Sequence, residues 1–299
     1  MKIIVGTRGS KLALVQTNWV VEKLKKANPG IEFEIKVIKT KGDLVTHLPL
    51  HKIGDKGLFT KEIEQQLLDK EIDLAIHSMK DMPSTLPEGL KFANVPKRED
   101  PRDVLVLKEG YSSIDDLPEG AKIGTGSKRR TYQLLKYRPD LEIVPIRGNI
   151  DTRIRKIEDE NLHGVVLAAA GLIRAGLEDK ISYYIPTNIM VPAPAQGALA
   201  IEIREDDTYI EEIVSHIKDE MTENQVQAER GFLTGVNGSC HVPMGAYCEI
   251  KDDNIILTGL YGDEDGEKLV IKSLEGKVKD ASNLGFELAN IVLKEYKNL

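Results

Sequence analysis

Cysteine is almost missing from this chain of 299 residues, which has only Cys240 and Cys248. Two thiols cannot form a disulfide framework, and their spacing is not that of a zinc site. Histidine is scarce as well. His47 and His51 are four residues apart, but Pro49 between them opposes the helix that would aim both at one ion, so no metal site is expected. Long hydrophobic runs are lacking, so no segment is expected to span a bilayer. The apolar start K-I-I-V-G at 2–6 is too short for a signal peptide and reads as a strand, so the expected compartment is the cytoplasm. An excess of positive charge is also lacking. Lysine and arginine total 41 against 48 acids, a formal net charge of −7, which argues against a generic nucleic-acid binder.

What the chain does have is core material. Its residues are 41% hydrophobic and 30% charged, with length for two or three domains. Ser10 is a good N-cap for a helix reaching about residue 26, with Leu12, Val15, Trp19 and Val20 at helical spacing and Trp19 in the core. Residues 33–39 read as a strand, 61–68 as a helix and 73–77 as a strand, an alternation that implies a largely parallel sheet. The stretch 42–57 is long for a connection and reads as a lid or binding loop. A Pro-rich crossing at 83–102 leads to a second set, with strands at 104–107, 122–124, 142–145 and 165–170 and helices at 131–137 and 152–159. A second crossing at 185–197 is followed by a strand at 198–203 that returns to the first lobe. Two crossings between two α/β lobes predict a hinged clamshell. From about residue 222 a helix at 225–234, strands at 245–250, 255–261 and 269–274, and a helix at 282–296 predict a small α+β domain. The expected domains are 1–98 with 197–218, then 99–196, then 219–299.

Three features carry chemistry. The run I-D-L-A-I-H-S-M-K-D-M-P at 72–83 is a buried strand ending in Lys80-Asp81. Ligands of open α/β sheets bind beyond the carboxyl ends of strands. A carboxylate beside an ammonium there stays ionised and suits the stabilisation of a positive intermediate. Next, G-T-R-G-S-K at 6–11 and G-T-G-S-K at 124–128 form a weak repeat of strand, glycine turn, hydroxyl cap and helix, each a candidate anion site. Arg129 and Arg130 lie in a first helical turn, where the macrodipole disfavours cations by roughly 0.3–1 kcal/mol per charge. With Arg147, Arg153 and Arg174 near other strand exits, they predict a ligand carrying several carboxylates. Finally, Cys240 sits in N-G-S-C-H-V-P-M-G, a loop whose glycine and proline give it a fixed, exposed presentation, while Cys248 alternates within a strand and reads as structural.

These motifs resemble one family. H-S-M-K-D-M-P at 77–83, G-T-R-G-S at 6–10, G-S-K-R-R at 126–130, R-G-N-I-D-T-R at 147–153, A-A-A-G-L-I-R at 168–174, P-A-Q-G-A-L at 194–199 and G-S-C-H-V-P at 238–243 are similar, in order, to those of the porphobilinogen deaminase (hydroxymethylbilane synthase) family. The resemblance implies three domains, the first two similar to type-2 periplasmic binding proteins. It implies a dipyrromethane cofactor joined by a thioether to Cys240, and four porphobilinogen units added head to tail to give hydroxymethylbilane. Asp81 would be the catalytic residue. Arg8, Ser10, Lys80, Ser127, Arg129, Arg130, Arg147, Arg153 and Arg174 match positions that hold cofactor or substrate carboxylates, Gln196 belongs to the same binding set, and Lys56 lies in the matching mobile loop. Gly126 and Ser239 depart from the family's usual small hydroxyl residue and glycine. Expected partners are the small-molecule substrate alone, with no nucleic acid or membrane, and the chain is expected to be a monomer. The competing reading is a non-enzymatic clamshell that binds a polycarboxylate. The missing export signal, the third domain and the presented Cys240 argue against it.

Overall fold

The computed structural model describes residues 2–44, 60–237 and 242–299. By contacts the chain divides into two units, Met1–Arg98 with Ala198–Asn224, and Glu99–Gly197 with Gln225–Leu299. The first unit holds a five-stranded sheet of β1 (Lys2–Arg8), β2 (Glu32–Ile38), β3 (Leu74–Ser78), β4 (Leu90–Phe92) and β10 (Leu199–Arg204), in the order β2-β1-β3-β10-β4. Strands β1, β2 and β3 run parallel, and β10 lies antiparallel between β3 and β4. The central strand β3 is buried along Leu74-Ala75-Ile76-His77, as expected of a parallel strand covered on both faces. Helix α1 (Lys11–Ala27) follows β1, and the Ser10 hydroxyl accepts from the Ala13 N–H at 3.3 Å. Its buried stripe is Gln16, Thr17, Val20, Val21 and Leu24, turned from the expected face, with Leu12 and Val15 half-buried. Trp19 packs partly buried against the sheet core. Helices α2 (Lys61–Leu68) and α6 (Thr208–Ser215) belong to the same unit. Residues 41–44 form a helical turn where the long loop was expected to begin.

The second unit repeats the plan. Strands β5 (Asp103–Leu107), β6 (Lys122–Gly124), β7 (Glu142–Val144), β8 (Gly164–Ala168) and β9 (Tyr183–Tyr184) are ordered β7-β6-β8-β5-β9, with β5 antiparallel to both neighbours. Each sheet thus has three parallel strands, then one antiparallel strand supplied by a crossing segment, then a short edge strand. Two expectations need correction. The strand expected at 165–170 ends at Ala168, and Ala169–Arg174 is helix α5, held by burial of Ala169, Ala170 and Leu172 in spite of Gly171. The crossing expected at 83–102 contains β4, whose three residues pair with β10 while Leu90 packs with Ile63 and Leu67. Helices α3 (Lys128–Tyr137) and α4 (Ile150–Asp159) complete this sheet's cover.

The same unit includes a meander of β11 (Met244–Lys251), β12 (Asn254–Gly262) and β13 (Leu269–Lys277), packed by α8 (Ala281–Asn298) and by α7 (Glu220–Gly235), which enters this unit at Gln225, around Phe232, Leu257 and Leu288. Cys248 is fully buried in that core. Glu229, also fully buried, joins the meander to the second crossing. Its carboxylate accepts from the Ala195 N–H at 2.6 Å and the Cys248 N–H at 2.9 Å.

The second crossing ends at Gly197, whose φ is +88°. A Cβ there would lie 2.4 Å from the Glu99 carbonyl oxygen. Gly197→Ala should therefore destabilise the chain by more than about 1 kcal/mol, from strain and from collision with backbone. Denaturant melts of both proteins would show it, and an unchanged midpoint would refute it.

Candidate functional site

In the first unit, β1 and β3 are parallel neighbours, so their carboxyl ends open on one edge of the sheet. Arg8 closes β1 and Ser10 caps the helix that follows. Beyond β3 the chain turns at once into the 3-10 turn Met79–Asp81. Met79 anchors that turn, 1% exposed and with its N–H on the Ala198 carbonyl at 3.0 Å. Lys80 and Asp81 are exposed beyond it. Behind this edge lies a polar layer that the sequence reading missed. Ser78 Oγ donates to Gln16 Oε1 at 3.1 Å, and Thr17 Oγ1 donates to Thr7 Oγ1 at 2.7 Å. The signal was present, since Gln16 and Thr17 share helical spacing with Val20, Val21 and Leu24. His77 Nε2 lies 3.1 Å from Glu202 Oε2, both buried, which ties β3 to β10 just before the turn.

In the second unit the carboxyl edge is lined by the exits of β6, β7 and β8. Strand β5 runs the other way, so its first residue, Asp103, lies at this same edge, opposite Ala168. Asp103 has no exposed surface. Its Oδ2 accepts from Arg129 Nη1 at 2.6 Å. Its Oδ1 accepts from Arg129 Nη2 at 3.2 Å, Arg130 Nε at 2.9 Å, Arg130 Nη2 at 2.7 Å and Gln196 Nε2 at 3.1 Å. Arg129 Nη1 also donates to the Val191 carbonyl and Arg130 Nη1 to the Val166 carbonyl. Gln196 Nε2 donates further to the Pro101 carbonyl at 2.7 Å. Both arginines are only 6% exposed. Burial by itself would raise the Asp103 pKa, yet the two guanidiniums and Gln196 pull it far below the usual carboxylate range. Burial lowers the Arg130 pKa, and the Asp103 charge opposes that shift. The acid offsets the cost of placing two cations in a first helical turn. Two guanidiniums against one carboxylate leave one net positive charge in a desolvated place.

This arrangement has a pH signature. The folded-state pKa of Asp103 lies below its unfolded value of about 4, so its stabilising effect is complete above that pH and drains away as pH falls toward the folded value. Unfolding free energies measured from pH 7 down to pH 3 should decline, and Asp103→Asn should flatten that decline. Identical slopes would show that Asp103 is not the group responsible.

The remaining expected residues are placed as follows. Ser127 occupies the N-cap position of α3 with extended backbone, but unlike Ser10 its hydroxyl makes no bond to the helix. A Cβ at Gly126 would lie 2.8 Å from the Ile146 carbonyl oxygen, so this backbone leaves no room for a side chain there. Arg147 is exposed after β7. Arg153, in α4, donates from Nε to the Gly148 carbonyl at 2.8 Å. Arg174 closes α5 rather than a strand, and its Nη2 donates to the Gly197 carbonyl at 2.7 Å. Burial lowers the Arg174 pKa to about 10, against the raising effect of Glu99. The structure therefore gathers Arg129, Arg130 and Gln196 into one cluster with Asp103, and sets Arg174 on the residue after Gln196. Lys56, Ser239 and Cys240 lie outside the described residues.

The donor set suits an anionic group. A buried cluster with one surplus charge and guanidinium forks matches a carboxylate in both charge and geometry. Fold and cluster together define an α/β protein with a buried cationic cluster at a sheet's carboxyl edge. Residues 3–212 match the family described as porphobilinogen deaminase, dipyromethane cofactor binding domain, and residues 224–294 match the porphobilinogen deaminase C-terminal domain. The chain is 68% identical over 298 residues to the porphobilinogen deaminase of Clostridioides difficile (strain 630), covering 100% of this chain and 99% of that one. It is 62% identical to that of Clostridium novyi (strain NT), over 99% of both chains. For Carboxydothermus hydrogenoformans the identity is 49%, over 98% of this chain and 94% of the relative. This chain belongs to the porphobilinogen deaminase family, as its ordered motifs implied, and is an enzyme of tetrapyrrole biosynthesis whose larger matched segment is a dipyrromethane-binding domain. Among solved structures, the VFT2 domain of Bordetella pertussis BvgS aligns over 77% of this chain and 91% of its own, at 13% identity with a TM-score of 0.44, too slight a likeness to argue from.

Proposed function

We propose that this chain is a transferase that condenses four porphobilinogen molecules head to tail, with loss of ammonia, into hydroxymethylbilane. The reading is of a cytoplasmic monomer primed by dipyrromethane attached at Cys240. Its domains are 1–98 with 197–218, 99–196, and 219–299. The observation that carries the reading is the buried cationic cluster of Arg129, Arg130 and Gln196 within the segment matched as cofactor-binding. When bound, dipyrromethane would supply the terminal pyrrole carbon that accepts the first unit.

The chain's residues divide the work. Loss of ammonia leaves positive charge on the incoming pyrrole. The Asp81 carboxylate, exposed at the exit of β3, stabilises that charge by up to ~4 kcal/mol at 4 Å with an effective dielectric of ~20. It can also accept the proton released on coupling, a contribution of typically ~10²–10⁴-fold. Each substrate ring carries an acetate and a propionate, so a growing chain presents many carboxylates. Arg8, Ser10, Lys80, Ser127, Arg129, Arg130, Arg147, Arg153 and Arg174 are their proposed holders, with Gln196 steadying the arginine pair and Lys56 contributing from its loop. An intact-mass spectrum of the purified chain tests the reading. It should show an addition equal to two pyrrole units. An unmodified mass with no consumption of porphobilinogen would leave the polycarboxylate-binding reading in its place.

A further inference from the structure

We infer that Asp103 is a positioning residue that sets the charge capacity of the arginine pair, cancelling one of its two positive charges so that the cluster accepts a single ligand carboxylate. The inference rests on the proposed function and deepens it.

Asp103 occupies its place because β5 runs antiparallel and delivers its first residue to the carboxyl edge. Its Oδ1 receives four donors from Arg129, Arg130 and Gln196 and its Oδ2 one from Arg129, and with no exposed surface it acts through the arginines. The orientation of both guanidiniums is then fixed, since each is also tied to a backbone carbonyl, of Val191 or Val166. Six N–H groups make these bonds, and two guanidiniums carry about ten. Among the described residues the others remain for an acceptor, and at 6% exposure per arginine the approach is narrow. A buried surplus of one positive charge is costly until an anion arrives, and one carboxylate neutralises it. Without Asp103 the surplus would be two, a charge suited to a dianion.

A strut and a charge-setter predict opposite outcomes in one comparison. Arg130→Gln leaves Arg129 against Asp103, a surplus of zero. Adding Asp103→Asn to Arg130→Gln restores a surplus of one while removing another hydrogen-bonded group. Purified full-length wild type, Arg130→Gln and the double variant are compared by intact mass for the ratio of adduct-bearing to unmodified chain, with thermal melts confirming that each is folded. The double variant should load about tenfold better than Arg130→Gln, the effect of one regained charge-assisted hydrogen bond. If Asp103 is only a strut, the double variant loads no better than the single, and the inference falls. A second measurement uses sodium sulfate as the probe in the Cys240→Ser background. Its dianion should raise the melting midpoint of Asp103→Asn more than that of the parent, at ionic strength matched with sodium chloride. An equal rise overturns the inference. A wild type without any adduct would instead sink the proposed function, so the two failures are distinct.

Discussion

Cys240→Ser will lose the covalent adduct and nearly all turnover. A serine hydroxyl at neutral pH is far less nucleophilic than a thiol with a thiolate fraction, so it will not capture the electrophilic pyrrole that primes the site. The chain has only one other cysteine, which makes the control direct. Cys248 is fully buried in the β11–β13 core and its N–H is committed to Glu229. Cys248→Ser should therefore keep the adduct and most activity, at some cost in stability for burying a hydroxyl. Intact mass and steady-state turnover of both variants decide the matter. An adduct that survives in Cys240→Ser and vanishes in Cys248→Ser would place the attachment on the wrong residue.

Asp81→Asn will lower turnover by about two to four orders of magnitude while leaving the adduct in place. Asparagine keeps the size and much of the hydrogen-bonding shape of aspartate but removes the charge that meets the pyrrole cation. Asp81→Glu keeps the charge and displaces it by one methylene, so it should retain more activity than the asparagine variant. Because Asp81 is exposed at a turn anchored by Met79, neither change disturbs a core. The comparison is of turnover per adduct-bearing chain. Near-normal turnover in Asp81→Asn would reduce Asp81 to a structural partner of the neighbouring lysine.

Much of the α/β plan was readable because its signals are local. The Ser10 cap, the apolar run before Lys80-Asp81 and the two proline-rich crossings each announce themselves within a few residues. The short edge strands β4 and β9 do not, since two or three residues carry no periodicity and are ordered by a distant partner. Asp103 was missed for the same reason. An acid opening the run D-V-L-V-L looks like a loop residue until β5 is known to run antiparallel, which brings it beneath two arginines 26 and 27 positions away. Those arginines were noticed because they break the helix-dipole preference, but the compensation lies in tertiary pairing. Arg174 closes a helix rather than a strand, because the apolar run before it passes from strand to helix between Ala168 and Ala169 with no turn residue to mark the change.

The antiparallel insertion also sets an order of assembly during synthesis. The second sheet draws all its strands from Asp103–Tyr184, so it can close once that contiguous stretch has left the ribosome. The first sheet cannot, because β10 fills the gap between β3 and β4 and is not made until residues 199–204. The amino-terminal segment, though translated first, must wait with the flanks of that gap unpaired while its neighbour matures, a period in which open strand edges invite wrong pairing. Completion runs from the middle of the polypeptide outward. A stalled or truncated chain ending before residue 199 would carry a finished second sheet and an unfinished first one.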